Sequence, residues 1–128
     1  MLEIGCSYTV EGVVSEALTA KAMGSGELPV LATPAVIAGL EEAAWKSVAD
    51  ALEEGTGTVG TYMAFSHDAA TPLGMKFRCE STLVSIDGRA LEFHVEAFDE
   101  AGKIGSGTHR RFIISNDRFL EKTNRKGA

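Results

Sequence analysis

Thr33-Pro34-Ala35-Val36-Ile37-Ala38-Gly39-Leu40-Glu41-Glu42-Ala43-Ala44 is the stretch on which the fold turns. Threonine followed by proline reads as a helix N-cap and N1 residue, because an N1 proline lacks only an N–H that has no intrahelical partner there. From Ala35 the pattern runs to Leu52 with no breaker other than Gly39, and Gly55 and Gly57 stop it. The first two turns, Ala35 to Leu40, are apolar on every side, so this helix is expected to be wrapped on most sides rather than laid on a surface. Gly39 costs about 1 kcal/mol relative to alanine in a helix interior, which points to close approach of another backbone.

On either side of the helix the hydrophobic period is 2. Ser7 to Ser15 reads as a first strand, followed by a short helical turn over Glu16 to Met23 that Gly24-Ser25-Gly26 ends. After the helix, Thr58–Asp68, Lys76–Ile86, Ala90–Asp99 and Lys103–Ser115 read as four more strands. Asp87-Gly88 and Glu100-Ala101-Gly102 are hairpin connections, which makes the last three strands an antiparallel meander. Five strands and one long apolar helix predict an α+β domain over residues 1–128, with a curved five-stranded antiparallel sheet around the central helix.

Composition narrows the functional classes. The 128 residues are 45% hydrophobic and 23% charged, as expected of a globular chain with an ordinary core. No apolar run reaches the roughly 20 residues of a membrane span, and Met1 to Val10 is not built like a signal peptide, so the expectation is a cytoplasmic protein without membrane contact. Cys6 and Cys79 are isolated and read as ordinary buried thiols, with no disulfide framework or zinc site signalled. The net charge of −6 argues against nonspecific nucleic-acid binding. It also hides an asymmetry: residues 1–102 carry 5 Lys/Arg against 16 Asp/Glu, whereas residues 103–128 carry 7 against 2. The basic end either meets an anionic partner or is a solvated tail.

Few side chains stand out chemically. Glu41 has Ile37 at i−4 and Trp45 at i+4, so its carboxylate lies in an apolar row; it is either functional or rotated to the rim by the helix end. Glu42 has Lys46 at i+4 and reads as a solvent-face pair. His67 closes the row Val59, Thr61, Met63, Phe65, opposite the more polar Gly60, Tyr62, Ala64, Ser66 and Asp68, and is either a hydrogen-bonded core residue or a catalyst. His94 shares a face with Glu92 and Glu96 and looks solvated. His109 lies in Gly105-Ser106-Gly107-Thr108-His109-Arg110-Arg111, whose glycines suggest a bulge or the close approach of a ligand or second backbone. Neither glycine pair has the context of a phosphate-binding loop, and no motif implies a metal, flavin or nucleotide cofactor.

Together with Gly57-Thr58-Val59-Gly60-Thr61, Ser66-His67-Asp68-Ala69-Ala70-Thr71-Pro72 and Ile104 to Arg111, the helix-opening stretch resembles the hot-dog-fold acyl-CoA thioesterases, most closely the fluoroacetyl-CoA thioesterase-like branch. The order and spacing of the four blocks carry the resemblance over residues 7 to 120. It implies a helix wrapped by a curved sheet, and a homodimer or higher oligomer with active sites between subunits. It also implies catalytic roles for Thr33, Glu41 and His67, and a backbone N–H at Gly60 that helps to hold the thioester carbonyl. Thr61, His109 and Arg111 are then expected beside the substrate, with Lys103 and Arg110 as candidates for the CoA phosphates. Two features depart from the branch: Gly24 to Leu31 lacks the aromatic residues with which the fluoroacetate-selective member closes its pocket, so fluoroacetyl-CoA is not the expected substrate, and Pro34 follows the threonine directly.

The residue types suit thioester hydrolysis, which needs a nucleophile, a proton shuttle and oxyanion donors. Eight residues of helix separate Thr33 from Glu41 by about 12 Å along the axis, so within one chain they meet only through a bridge of His67, water or substrate. Thr33 on its own terms is equally a plain N-cap. The expectation is hydrolysis of a small acyl-CoA to free acid and CoA, with no cofactor beyond the substrate. The alternatives are a non-catalytic acyl-CoA or small-molecule binding protein of the same fold, and, less favoured, a dehydratase or hydratase.

Overall fold

The computed structural model describes residues 1–127. Strands β1 (Ser7–Val13), β2 (Thr56–His67), β3 (Lys76–Asp87), β4 (Ala90–Asp99) and β5 (Gly102–Ser115) pair antiparallel in one sheet of order β1-β3-β4-β5-β2. The meander β3-β4-β5 follows from its connections. Gly88, at φ 61°, turns the first hairpin between the paired Asp87 and Ala90. At the second, the buried Asp99 carboxylate accepts the backbone N–H groups of Ala101 and Gly102 at 2.8 and 3.2 Å and the Thr71 hydroxyl at 2.8 Å. That carboxylate ties the turn to the loop after β2.

Helix α1 (Ala20–Met23) is a single turn closed by left-handed Gly24, helix α2 (Thr33–Ala49) is the long one, and α3 (Asn116–Asn124) follows β5. Val36, Leu40, Ala44 and Val48 bury one face of α2 against Leu83, Leu91, Phe93 and Val95 of the sheet. Each large side chain so buried contributes roughly 1.5–3 kcal/mol. Ser81 Oγ donates to the Leu40 carbonyl at 2.8 Å, a second tie between α2 and β3. Gly39 faces Cys79, whose Sγ would lie 2.7 Å from an added Cβ, so the close approach is that of a side chain and not of a backbone. Cys79 is fully buried and burial pushes its thiol up to about 12; Cys6 is half-buried.

The helix is wrapped on most sides, as expected, and only a narrow stripe of Pro34, Ala38, Trp45 and Ala49 stays exposed beyond its first residue. Two expectations need correction. The helix begins at Thr33 and ends at Ala49, three residues before Leu52; Gly55 turns the following loop at φ 81°, and Gly57 lies inside β2. Thr33 is not the N-cap. Ala32 holds that position, with its N–H bonded to the Leu18 carbonyl at 2.9 Å, so the threonine hydroxyl makes no capping bond.

Candidate active site

The inner face of β2 differs from the simple alternation of its sequence. The register against β5 shifts between Gly60 and Tyr62, leaving Thr61 as the extra, exposed residue of a bulge. One extra residue reverses the alternation beyond it. Gly60 pairs with Arg111, whereas Met63, Phe65 and His67 pair with His109, Gly107 and Gly105, so all these residues share one face. Val59 pairs with Phe112 and goes to the other face. The expected row is therefore corrected at its start: Gly60 joins His67's face and Val59 leaves it. The two glycines of β5 have a packing reason, since a Cβ on Gly105 would strike the Phe65 ring and the Ser66 carbonyl, and one on Gly107 would strike the Ala64 carbonyl. The close neighbour is β2 itself.

Two clusters form on this face. In the first, at the start of α2, Thr33 Oγ1 lies 2.7 Å from His67 Nδ1. Freed from capping, the hydroxyl is available to the ring. His67 Nε2 is buried and has no hydrogen-bond partner among the described residues, and this holds in either neutral tautomer, since the atom is then a donor or an acceptor without a mate. Beside the pair lies an open cleft of about 220 Å³ whose mixed lining includes Ser25, Val30, Leu31, Thr33, His67 and Asp68. Gly24 to Pro29 run exposed and bring no aromatic ring over it.

The second cluster is centred two turns further along α2. Arg111, 7% exposed, donates from Nε to Thr58 Oγ1 at 2.8 Å and from Nη2 to the Thr58 carbonyl at 3.0 Å. Its Nη1 lies 3.1 Å from His109 Nε2 and 3.8 Å from Glu41 Oε2. Burial lowers the Arg111 pKa and the Glu41 charge raises it, and the guanidinium stays charged throughout. Gly60 completes the group. An added Cβ there would sit 3.0 Å from Glu41 Oε2, so the glycine lets the carboxylate come this close without giving way. Glu41 itself is half-exposed, with its carboxylate turned between Arg111 and open solvent.

The remaining expected site residues lie elsewhere. A second register shift, between Ala97 and Phe98, makes Ile104 the extra residue and sends Lys103 to the outer face. There Lys103 pairs with Glu96 at 2.9 Å, and Arg110 pairs with Glu92 at 3.0 Å while lying over the Tyr62 ring. Both cations are separated from Arg111 by the sheet. Glu42 and Lys46 form the expected pair at 2.6 Å, and His94 stands on the outer face 3.7 Å from Glu96. Thr58 was not singled out by sequence reasoning; the signal available was its place in the Gly57-Thr58-Val59-Gly60-Thr61 block. Among the described residues, no helix is long and apolar enough to cross a membrane, and no group of three His, Cys, Asp or Glu could hold a metal ion.

A long helix packed against one five-stranded antiparallel sheet is the hot-dog fold of the thioesterase superfamily. Solved structures similar to this one include a threonine-to-serine variant of the fluoroacetyl-CoA thioesterase FlK with acetyl-CoA, at TM-score 0.92 and 32% identity over 99% of this chain and 100% of that one. A thioesterase superfamily member from Thermus thermophilus matches at TM-score 0.91 and 27% identity over 99% of this chain and 94% of that one. Residues 14–117 match the family model FlK, described as fluoroacetyl-CoA-specific thioesterase, and the chain belongs to that family. The fluoroacetyl-CoA thioesterase of Streptantibioticus cattleyicolor is 38% identical over 97 residues, 76% of this chain and 70% of its own length.

Proposed function

We propose that this protein hydrolyses a small acyl-CoA thioester, with Thr33, His67 and Glu41 as its catalytic residues in a site shared by two copies of the chain. The observation that carries the reading is the 2.7 Å contact between Thr33 Oγ1 and His67 Nδ1 on the edge of an open cleft. A helix-terminal threonine relieved of capping and set on an imidazole is arranged for proton transfer. Attack on the thioester carbonyl, by the hydroxyl or by a water that it orients, passes a proton to His67, which returns it to the departing CoA thiolate. If the hydroxyl attacks, water then cleaves the acyl-threonine ester. Glu41 orients or activates the attacking water, and a backbone N–H at Gly60 faces the developing oxyanion.

The second copy enters through geometry. Thr33 and Glu41 stand about 12 Å apart along one rigid helix, too far to serve one carbonyl. β2 is an edge strand of 12 residues beside the exposed Pro34, Ala38 and Trp45 of α2. Unpaired edge N–H and C=O groups and an apolar helix face favour self-association, which in a two-fold arrangement brings one copy's Glu41 towards the other's Thr33. The cleft of about 220 Å³ suits a short acyl group, and its lack of an aromatic cover favours no special preference for the fluorinated one.

The test is free-thiol release from acetyl-, propionyl-, butyryl- and fluoroacetyl-CoA. The expected result is turnover of at least one short acyl-CoA, lowered on the order of 100-fold or more in Thr33→Ala, His67→Ala and Glu41→Gln. Stabilisation by acyl-CoA without thiol release would replace hydrolysis with binding, and unaffected rates in all three variants would remove the mechanism.

A further inference from the structure

His109 is the most deeply buried imidazole of the chain, at 1% exposure, and the steps proposed above leave it without work. Its partners define its state. Nδ1 lies 2.8 Å from the Tyr62 carbonyl, which only accepts, so Nδ1 carries the proton. Nε2 lies 3.1 Å from Nη1 of Arg111, which only donates, so Nε2 presents its lone pair. The ring is therefore neutral, with a tautomer set by the bulge that places Tyr62 beside it.

We infer that His109 is a positioning residue: through Arg111 it sets where the Glu41 carboxylate stands against Gly60. The guanidinium has five N–H donors and, on this side of the sheet, three fixed acceptors: Thr58 Oγ1, the Thr58 carbonyl and His109 Nε2. The two Thr58 bonds anchor Nε and Nη2. Only the His109 bond fixes Nη1, the atom that faces Glu41 at 3.8 Å. Without an acceptor at the Nε2 position, the guanidinium is free to tilt about its Thr58 anchors and the carboxylate loses its reference. A histidine used only as core filler would waste a polar ring against Phe93, whose centroid lies 6.0 Å away. The charged groups facing the ring are Arg111 from its own strand and Glu41 from α2, while β4 contributes the Phe93 ring and β2 the Tyr62 carbonyl. Burial, its largest influence, holds the ring below the usual imidazole value and keeps the acceptor in place.

The inference rests on the catalytic reading of Glu41, and two isosteric replacements test it. Glutamine sets its amide oxygen near the Nε2 position and keeps an acceptor for Arg111; asparagine sets its amide nitrogen near Nδ1 and keeps only the bond to Tyr62. With whichever of the four thioesters the wild type hydrolyses fastest, His109→Gln is expected within about threefold of wild-type kcat, and His109→Asn about tenfold below it, both with KM within about twofold. Equal kcat in the two variants overturns the inference. Nitrogen-15 NMR of the wild type is independent of how the variants fold: a proton on Nδ1 and none on Nε2 supports the contact, and the reverse overturns it. A Glu41→Gln variant with full rate would instead dismiss the catalytic reading, leaving the tautomer measurement to decide whether His109 holds Arg111.

Discussion

Mixing two inactive variants gives the most direct access to the site. Thr33→Ala removes the hydroxyl that meets His67 at 2.7 Å, and Glu41→Gln removes the carboxylate beside Arg111. Both residues are on the same helix, and eight residues at 1.5 Å rise place them about 12 Å apart, with no flexible segment between them to close the gap. If one carbonyl is served by Thr33 and His67 of one copy and Glu41 of the other, each parent homodimer has two broken sites. A mixed dimer has one site with both defects and one with neither. Random exchange makes half the dimers mixed, so about one quarter of all sites regain wild-type composition and total kcat returns to about one quarter of wild type. The assay is thiol release after equimolar exchange, with one variant mass-tagged so that native mass spectrometry counts mixed dimers. Activity that stays at the parental level while half the dimers are mixed would refute the shared site and require all three residues to act within one chain.

Other parts of the molecule yield their own expectations. The folded His109 pKa is depressed, so between its unfolded value of about 6.5 and its folded value the unfolded chain binds more protons; stability therefore falls as pH drops below about 6.5, and His109→Gln should flatten that slope in thermal melts. Gly107→Ala drives a Cβ into the Ala64 carbonyl, a backbone atom that cannot rotate away, and should cost on the order of 3 kcal/mol in urea unfolding with loss of β2–β5 pairing. Gly39→Ala is expected to destabilise despite its better helix propensity, because Cys79 Sγ would lie 2.7 Å from the new Cβ; adding Cys79→Ala should recover part of the loss in a double-mutant cycle. Lys103→Ala with Arg110→Ala should leave the KM for acyl-CoA within about twofold, since each cation is neutralised by a carboxylate on the outer face; a severalfold rise that salt suppresses would place the CoA phosphates there after all.

Much of this architecture is local and therefore readable along the chain. Proline next to threonine, an unbroken apolar run and Asp-Gly between alternating segments specify the helix and the meander through propensity and turn geometry alone. The candidate residues Thr33, Glu41, His67, Gly60 and Arg111 were legible as types at given spacings. What they do to one another was not. A cap position is decided by which residue first takes non-helical dihedrals, and Ala32 took it because its N–H is held by Leu18, which frees the Thr33 hydroxyl for a histidine 34 residues away. Bulges are single-residue events with no periodic signature, so the reversal at Thr61 that brings Gly60 to Glu41, and the one at Ile104 that sends Lys103 outward, arise only when strands pair. The sequence by itself determined the main elements, the family and the list of candidate side chains, because those depend on neighbours along the chain. Only the tertiary structure decided that the list divides into a Thr33–His67 pair and a Glu41–Arg111–His109 group, because that division depends on register between strands and on the fixed length of a helix.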